Sequence, residues 1–259
     1  MLRFRSLGSG STGNATLVEA TGGGGRITRL LIDCGFALRH LDARLARAGL
    51  AACDLDAVFV THEHGDHIGC ARALSQREGL PVWMSEGTWL ATGGHDYEGR
   101  IRFARDGLGI ELGDLALRPF TVPHDAREPL QLVCSDGARR VGILTDLGHA
   151  TPYVLAQLAG LDALLLECNH DSDLLANSAY PPFLKHRVGG NYGHLSNVAA
   201  AAIARAVHHG GLKHVVAAHL SEQNNRPDIV KRLLADALGA TEEDMLAADA
   251  ANGSPWLDA

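Results

Sequence analysis

The stretch His62-Glu63-His64-Gly65-Asp66-His67 decides how this 259-residue chain is read. It follows an apolar, β-branched run, Asp56-Ala57-Val58-Phe59-Val60-Thr61, which predicts a buried strand. After it, Ile68-Gly69-Cys70-Ala71-Arg72-Ala73-Leu74 predicts the opening of a helix. The cluster therefore belongs on a strand-to-helix loop, where open α/β sheets place their ligand sites. Imidazole nitrogen and carboxylate oxygen are the donors that Zn²⁺ and similar divalent ions accept. In an extended loop His62 and His64 point the same way and can grip one ion. Asp66 and His67 come after a glycine, where the chain can turn, and can face a second ion. Glu63 projects away by the same alternation and stays outside the ligand set. A solvated polar loop would account for one histidine, but not for His-x-His-x-Asp-His packed behind a strand.

The rest of the composition sets the setting. With 46% hydrophobic and 20% charged residues, the chain has the make-up of a water-soluble globular protein. The N-terminal Met1-Leu2-Arg3-Phe4-Arg5-Ser6 has no long apolar region, and no stretch nears 18 apolar residues, so neither a signal peptide nor a membrane span is expected. Cys34, Cys53, Cys70, Cys134 and Cys168 are odd in number and form no C-x-x-C pair, which fits reduced thiols in a cytoplasm. The net charge is −7, whereas nucleic-acid binders are more often basic. Bound divalent ions can offset part of that acidity locally. The basic residues, mostly Arg, cluster at Arg100, Arg102 and Arg105, at Arg139 and Arg140, and at Lys185, His186 and Arg187. Any of these can be a solvated face or a phosphate-contacting patch.

Short strands are expected at Leu2–Leu7, Ala15–Ala20, Arg26–Ile32, 56–61, Pro81–Met84, 115–122, 130–134 and 140–145. Residues 37–48 carry helical spacing through Leu38, Leu41 and Leu45. Thr151-Pro152 opens a helix that Gly160 can end, and Ser196 caps a helix from Asn197 to His209. Strands Leu161–Leu166 and Lys213–Ala218 and a final helix from Pro227 to Leu238 complete the pattern. Two such halves predict an α/β protein in αββα order, two mixed sheets sandwiched between helices. No composition break divides residues 1–240, which are expected to be a single domain. Residues 241–259 are expected to be a frayed tail or a short docked helix.

Two ions need more ligands than one loop provides, and three further residues stand directly after apolar strands: His124, Asp146 and His219. Singly, each can be a turn residue. Together with the first cluster they make a metal site. The order Asp33, His62-x-His64-x-Asp66-His67, His124, Asp146, His219 resembles the metallo-β-lactamase-fold hydrolases, over nearly the whole chain from Ser6 to Asn225. The resemblance implies that His62, His64 and His124 hold one divalent ion, that Asp66, His67 and His219 hold another, and that Asp146 bridges. It makes Asp33 a residue that orients a ligand rather than binding metal. Zn and Mn are the expected metals, and Fe also suits such donors.

Finer segments narrow the match. Phe4–Asn14, Thr145-Asp146-Leu147-Gly148, Leu166–Asp171, Gly193–Asn197 and His219–Asn225 resemble the YycJ/WalJ-type subgroup, associated with 5′ to 3′ exonuclease activity on duplex DNA. Cys70 departs from the Gly common at that position. DNA is then the expected partner. Two ions about 3.5–4 Å apart can hold a hydroxide and polarise a phosphoryl oxygen. His194 is expected to protonate the leaving oxygen, oriented by Glu167, so that the catalytic set is Asp66, His194 and Glu167. Ser9, Ser11 and Asn14 in the Gly8–Asn14 loop are candidate phosphate contacts. The alternative is a small-molecule hydrolase of the same fold, cleaving a thioester, lactone or cyclic phosphodiester. A flavo-di-iron type reductase is disfavoured, because residue 64 is His where those proteins typically use Glu.

Overall fold

Strands buried along most of their length build the architecture. In the computed structural model, which describes residues 1–259, the first sheet takes β1 (Leu2–Gly8), β2 (Ala15–Thr21), β3 (Ile27–Ile32), β4 (Ala57–Phe59), β5 (Val82–Met84) and β6 (Ile101–Phe103) in chain order. The second takes β7 (Ile110–Leu112), β8 (Leu115–Thr121), β9 (Leu130–Ser135), β10 (Arg140–Leu144), β11 (Ala163–Glu167), β12 (His214–Ala218) and β13 (Leu246–Ala247). A last strand, β14 (Leu257–Asp258), crosses back to pair with β1. Both sheets are mixed. The strands from β1 to β3 pair antiparallel and those from β3 to β6 parallel. Likewise β7 to β10 are antiparallel and β10 to β13 parallel.

Parallel strands covered on both faces read as continuous apolar runs, and neighbouring residues serve different cores. In β3, Leu30 and Ile32 enter the core between the sheets with Phe4, Phe59, Leu132 and Ile143, while Leu31 packs outward among Leu41, Leu45 and Leu74. Those three leucines belong to α1 (Leu38–Arg47) and α3 (Ala71–Glu78); α2 (Gly65–Ile68) and α4 (Glu86–Ala91) complete the helices of this half. In β11, Ala163 and Leu165 face the inter-sheet core, and Leu164 and Leu166 pack with Val154, Ile203 and Leu234. These come from α5 (Pro152–Gln157), α8 (Asn197–Val207) and α9 (Pro227–Leu238), with α6 (Ser172–Asn177) and α7 (Pro182–Val188) between. The layers therefore run helix, sheet, sheet, helix, as the sequence pattern predicts. Thr151 and Ser196 cap α5 and α8 through the amides of Val154 and Ala199. No helix is long and apolar enough to cross a membrane.

The tail goes further than expected. A short 3-10 turn, Glu242–Asp244, docks against α9, and beyond it β13 extends the second sheet beside β12 and β14 extends the first beside β1. Strands of two residues have no periodicity to read. Between them Gly253 lies at φ +70°, and a Cβ there would sit 1.9 Å from the Ser6 carbonyl oxygen. Gly253→Val is therefore expected to destabilise the protein by roughly 2–4 kcal/mol, combining left-handed strain with a backbone clash. Urea unfolding followed by circular dichroism measures it; a loss under half a kilocalorie would mean the tail is loosely held.

Candidate metal centre

The residues expected at the metal site gather on one edge of the sandwich, most of them just beyond strand ends. Asp33 follows β3, His62 follows β4, His124 follows β8, Asp146 follows β10, Glu167 ends β11 and His219 follows β12. His64 begins the single turn of α2, which carries Asp66 and His67. That turn lies against Gly35, where a Cβ would come within 1.7 Å of the Asp66 carbonyl oxygen, so only glycine lets the two loops meet.

The ring nitrogens turned away from the centre are fixed by partners. His62 Nδ1 meets Thr61 Oγ1 at 3.0 Å, His67 Nδ1 meets Asp33 Oδ2 at 2.7 Å, His124 Nδ1 meets the Gly193 carbonyl at 3.0 Å, and His219 Nδ1 meets the Thr145 carbonyl at 2.9 Å. Such outer bonds set the tautomer and aim the opposite nitrogen. Asp33 and His219 adopt left-handed backbone, at φ 60° and 54°. Each is over-determined: Asp33 Oδ1 accepts the Thr61 amide at 2.8 Å, and the His219 amide donates to Ser9 Oγ at 2.8 Å.

The inward atoms fit an ion. Four donors bonded tetrahedrally at about 2.0–2.1 Å stand about 3.3 Å apart. His62 Nε2 lies 3.0 Å from His64 Nδ1, which lies 3.3 Å from His124 Nε2. Asp146 Oδ2 is 3.3 Å from both His62 Nε2 and His124 Nε2. Beside this set, Asp66 Oδ2 stands 3.6 Å from His67 Nε2 and 3.5 Å from His219 Nε2, with Asp146 Oδ2 at 3.2 Å from His67 Nε2. Asp146 thus faces both groups, and its Oδ1 also lies against His219 Nδ1 without a hydrogen bond of good geometry.

The electrostatics agree. Burial pulls the His62 imidazole down to about 4. Burial also opposes charge on His67 and His219, but Asp146, helped by Asp33 at His67 and by Asp66 at His219, outweighs it and holds both well above the usual imidazole range. Burial penalises the Asp146 carboxylate too, yet His219 and His67 keep it well below the usual carboxylate range. This cluster calls for positive charge at its centre, which divalent ions supply.

The cleft above the cluster has a volume of about 320 Å³ and no apolar residue in its wall. Ser11, His64, Asp66, Asp146, Arg187, His194 and His219 line it. His194 Nδ1 is bonded to Glu167 Oε1 at 2.7 Å, while Glu167 Oε2 takes the amides of Leu147 at 2.7 Å and Leu195 at 3.3 Å. Glu167 is fully buried, so the pair is rigid and leaves Nε2 as the open nitrogen of His194. Ser9 and Asn14 differ from their expected place as phosphate contacts. Both are buried and bonded to each other at 3.0 Å, and Asn14 Nδ2 reaches His67 Nε2 at 3.2 Å, so they position ligands instead; only Ser11 faces the cleft. Glu63 turns away to the Arg127 amide at 2.7 Å, and His149, the histidine nearest to Asp146 in sequence, bonds the Asn191 carbonyl at 2.8 Å outside the cleft wall.

Three residues were not foreseen. Thr61 bonds both Asp33 oxygens, at 3.0 and 2.9 Å. Gln131, in mid-strand, accepts the Thr145 amide at 3.0 Å and braces the Asp146 turn. Asp125 lies 3.7 Å from His64 and binds Arg187 at 2.6 Å, which fixes that cation at the rim. Of the three basic clusters, only the one at Lys185–Arg187 reaches the cleft. Asp33→Asn keeps the shape but weakens the anchor of His67, and is expected to lower metal affinity by roughly 10–100-fold. Competition with a chromogenic chelator measures the change, and unaltered affinity would remove Asp33 from this role.

Comparison with known proteins meets this geometry. A family model described as the β-lactamase superfamily domain matches residues 28–220. Exodeoxyribonuclease YycJ of Bacillus anthracis is 32% identical over 92% of this chain and 89% of that protein. Exodeoxyribonuclease WalJ of Streptococcus pneumoniae is 28% identical over 93% of this chain and 89% of that protein. The metallo-β-lactamase fold protein YhfI from Bacillus subtilis, a solved structure, covers 100% of both chains with a TM-score of 0.75 at 17% identity, a likeness of fold. The family model spans most of the strand ends that carry the site, and the chain belongs to the β-lactamase superfamily as a hydrolase of the metallo-β-lactamase fold.

Proposed function

We propose that this hydrolase is a phosphodiesterase acting on DNA, degrading duplex DNA from its 5′ end. The observation that carries the reading is the His194–Glu167 pair, 2.7 Å apart on the wall of a wholly polar cleft. An ester of a poor leaving group needs a proton at the departing oxygen, and an oriented imidazole beside the reacting centre gives one. His62, His64 and His124 would hold one divalent ion, Asp66, His67 and His219 a second, and Asp146 would contact both. Zn or Mn is the first choice, and Fe suits the same donors. Bound there, such ions supply Lewis-acid polarisation of the phosphoryl oxygen and a water activated at neutral pH. Arg187 holds the phosphate at the rim, Ser11 offers it a hydroxyl, and Glu167 keeps the His194 tautomer fixed. The exodeoxyribonuclease names of the two near-full-length relatives support DNA as the substrate. The cytoplasm is the compartment we propose for it, in keeping with a DNA substrate and reduced thiols.

A small-molecule hydrolase acting on a thioester, lactone or cyclic phosphodiester is the second reading, favoured by the modest cleft volume of about 320 Å³. One substrate panel separates them. Protein loaded with Mn²⁺ or Zn²⁺ is expected to shorten 5′-phosphorylated duplex DNA and to leave acyl thioesters intact. Thioester or lactone turnover beside untouched DNA would overturn the nuclease reading.

A further inference from the structure

The segment from Lys185 to His194 has two faces. Toward the metal cleft it presents Arg187 and His194. On its other side it walls a cavity of about 810 Å³, between α6 and α7. No carboxylate lines this cavity, although the chain as a whole carries a net charge of −7. Lys185 and His186 do line it; the Lys185 ammonium gives one hydrogen to the Ala176 carbonyl at 2.6 Å and keeps two. Tyr192 stands at the rim, 63% exposed.

The histidine in the cavity wall is the telling residue. His170 is only 4% exposed, and its Nδ1 has no hydrogen-bond partner. Burial, with the charge of nearby His194, pulls this imidazole down to about 4, so it is neutral near pH 7. A neutral ring can give one hydrogen bond and take another. A buried polar atom left open calls for a partner. Its backbone is tied to the cleft wall: the His170 amide donates to the carbonyl of Leu195, beside His194.

The geometry points to a nucleotide subsite: the cavity holds the terminal nucleoside 5′-monophosphate of a strand whose next phosphodiester lies in the metal cleft. Its volume falls in the range of small-ligand pockets and far exceeds what an ion needs. Lys185 and His186 suit a phosphate, Asn191 offers an amide to a base edge, and Tyr192 offers a stacking face. Binding there acts on the same short segment that carries His194, so contacts remote from the reacting bond align it. The inference rests on the phosphodiesterase reading.

The test uses metal-loaded full-length protein, as wild type, Lys185→Ala and Tyr192→Ala. Calorimetry with dAMP, and with a 5′-phosphorylated dinucleotide, measures the subsite directly. Steady-state kinetics use 5′-phosphorylated duplex DNA and bis(p-nitrophenyl) phosphate, which is too short to bridge both sites. Both variants are expected to bind dAMP at least tenfold more weakly and to show a matching fall in kcat/KM for DNA, part of it in kcat. Turnover of the aryl diester is expected to be unchanged. Equal dAMP affinity in all three proteins, or none in any, overturns the subsite whatever happens to DNA. Intact DNA beside Lys185-dependent dAMP binding would sink the exonuclease reading alone and leave the cavity a mononucleotide site.

Discussion

Asp146→Ala is expected to abolish hydrolysis of every substrate and to lower the bound-metal content, with the fold retained. One oxygen of this carboxylate lies 3.2–3.3 Å from Nε2 of His62, His67 and His124, and the other lies against His219. The loss in kcat/KM should go well beyond the roughly 100-fold that follows removal of a residue that merely supports a ligand. Plasma mass spectrometry of the dialysed protein gives the metal count, and circular dichroism checks the fold. Because Asp146 is buried, Asp66→Ala serves as a companion: its side chain is 25% exposed at the cleft and can be removed without opening the core. If Asp146→Ala kept a tenth of wild-type activity, the shared-ligand assignment would be wrong.

His194→Ala should separate two kinds of substrate. With DNA, the departing alkoxide is a poor leaving group, and losing its proton donor is expected to slow kcat by roughly 10²–10⁴-fold. With bis(p-nitrophenyl) phosphate the departing phenolate needs no proton, and the rate should change by less than about threefold on the same grounds. Glu167→Gln should follow the same pattern more mildly, since it weakens the 2.7 Å bond that orients the ring but keeps its shape. Equal slowing of both substrates would mean that His194 acts on binding or metal affinity rather than on the leaving oxygen.

Much of this centre was legible because its chemistry is local. His62 to His67 follow Val58-Phe59-Val60-Thr61 directly, and His124, Asp146 and His219 each mark the end of an apolar run. Residue type and strand position were enough to gather them. Gln131 was not legible, since it sits inside the apolar run of β9 and acts through the register that sets it beside Thr145. Ser9 and Asn14 misled for a related reason: a Gly-rich loop looks like an anion cradle, but whether its polar atoms are free depends on what folds over it. Here His219 and Asp66 do. Asp125 and Arg187 are 62 positions apart, and only tertiary structure makes them a pair.

The course of the tail bears on how the two sheets are held together. β1 takes its outer neighbour β14 from residues 257–258, and β12 takes β13 from residues 246–247. One segment therefore closes an edge of each sheet. Pairings between segments so far apart in sequence are slow to form. The strand ends that carry His62, Asp146 and His219 belong to those same two sheets, so the segment and the cleft share one frame. It works as a clasp across the sandwich, holding in register two sheets that each bring part of the site.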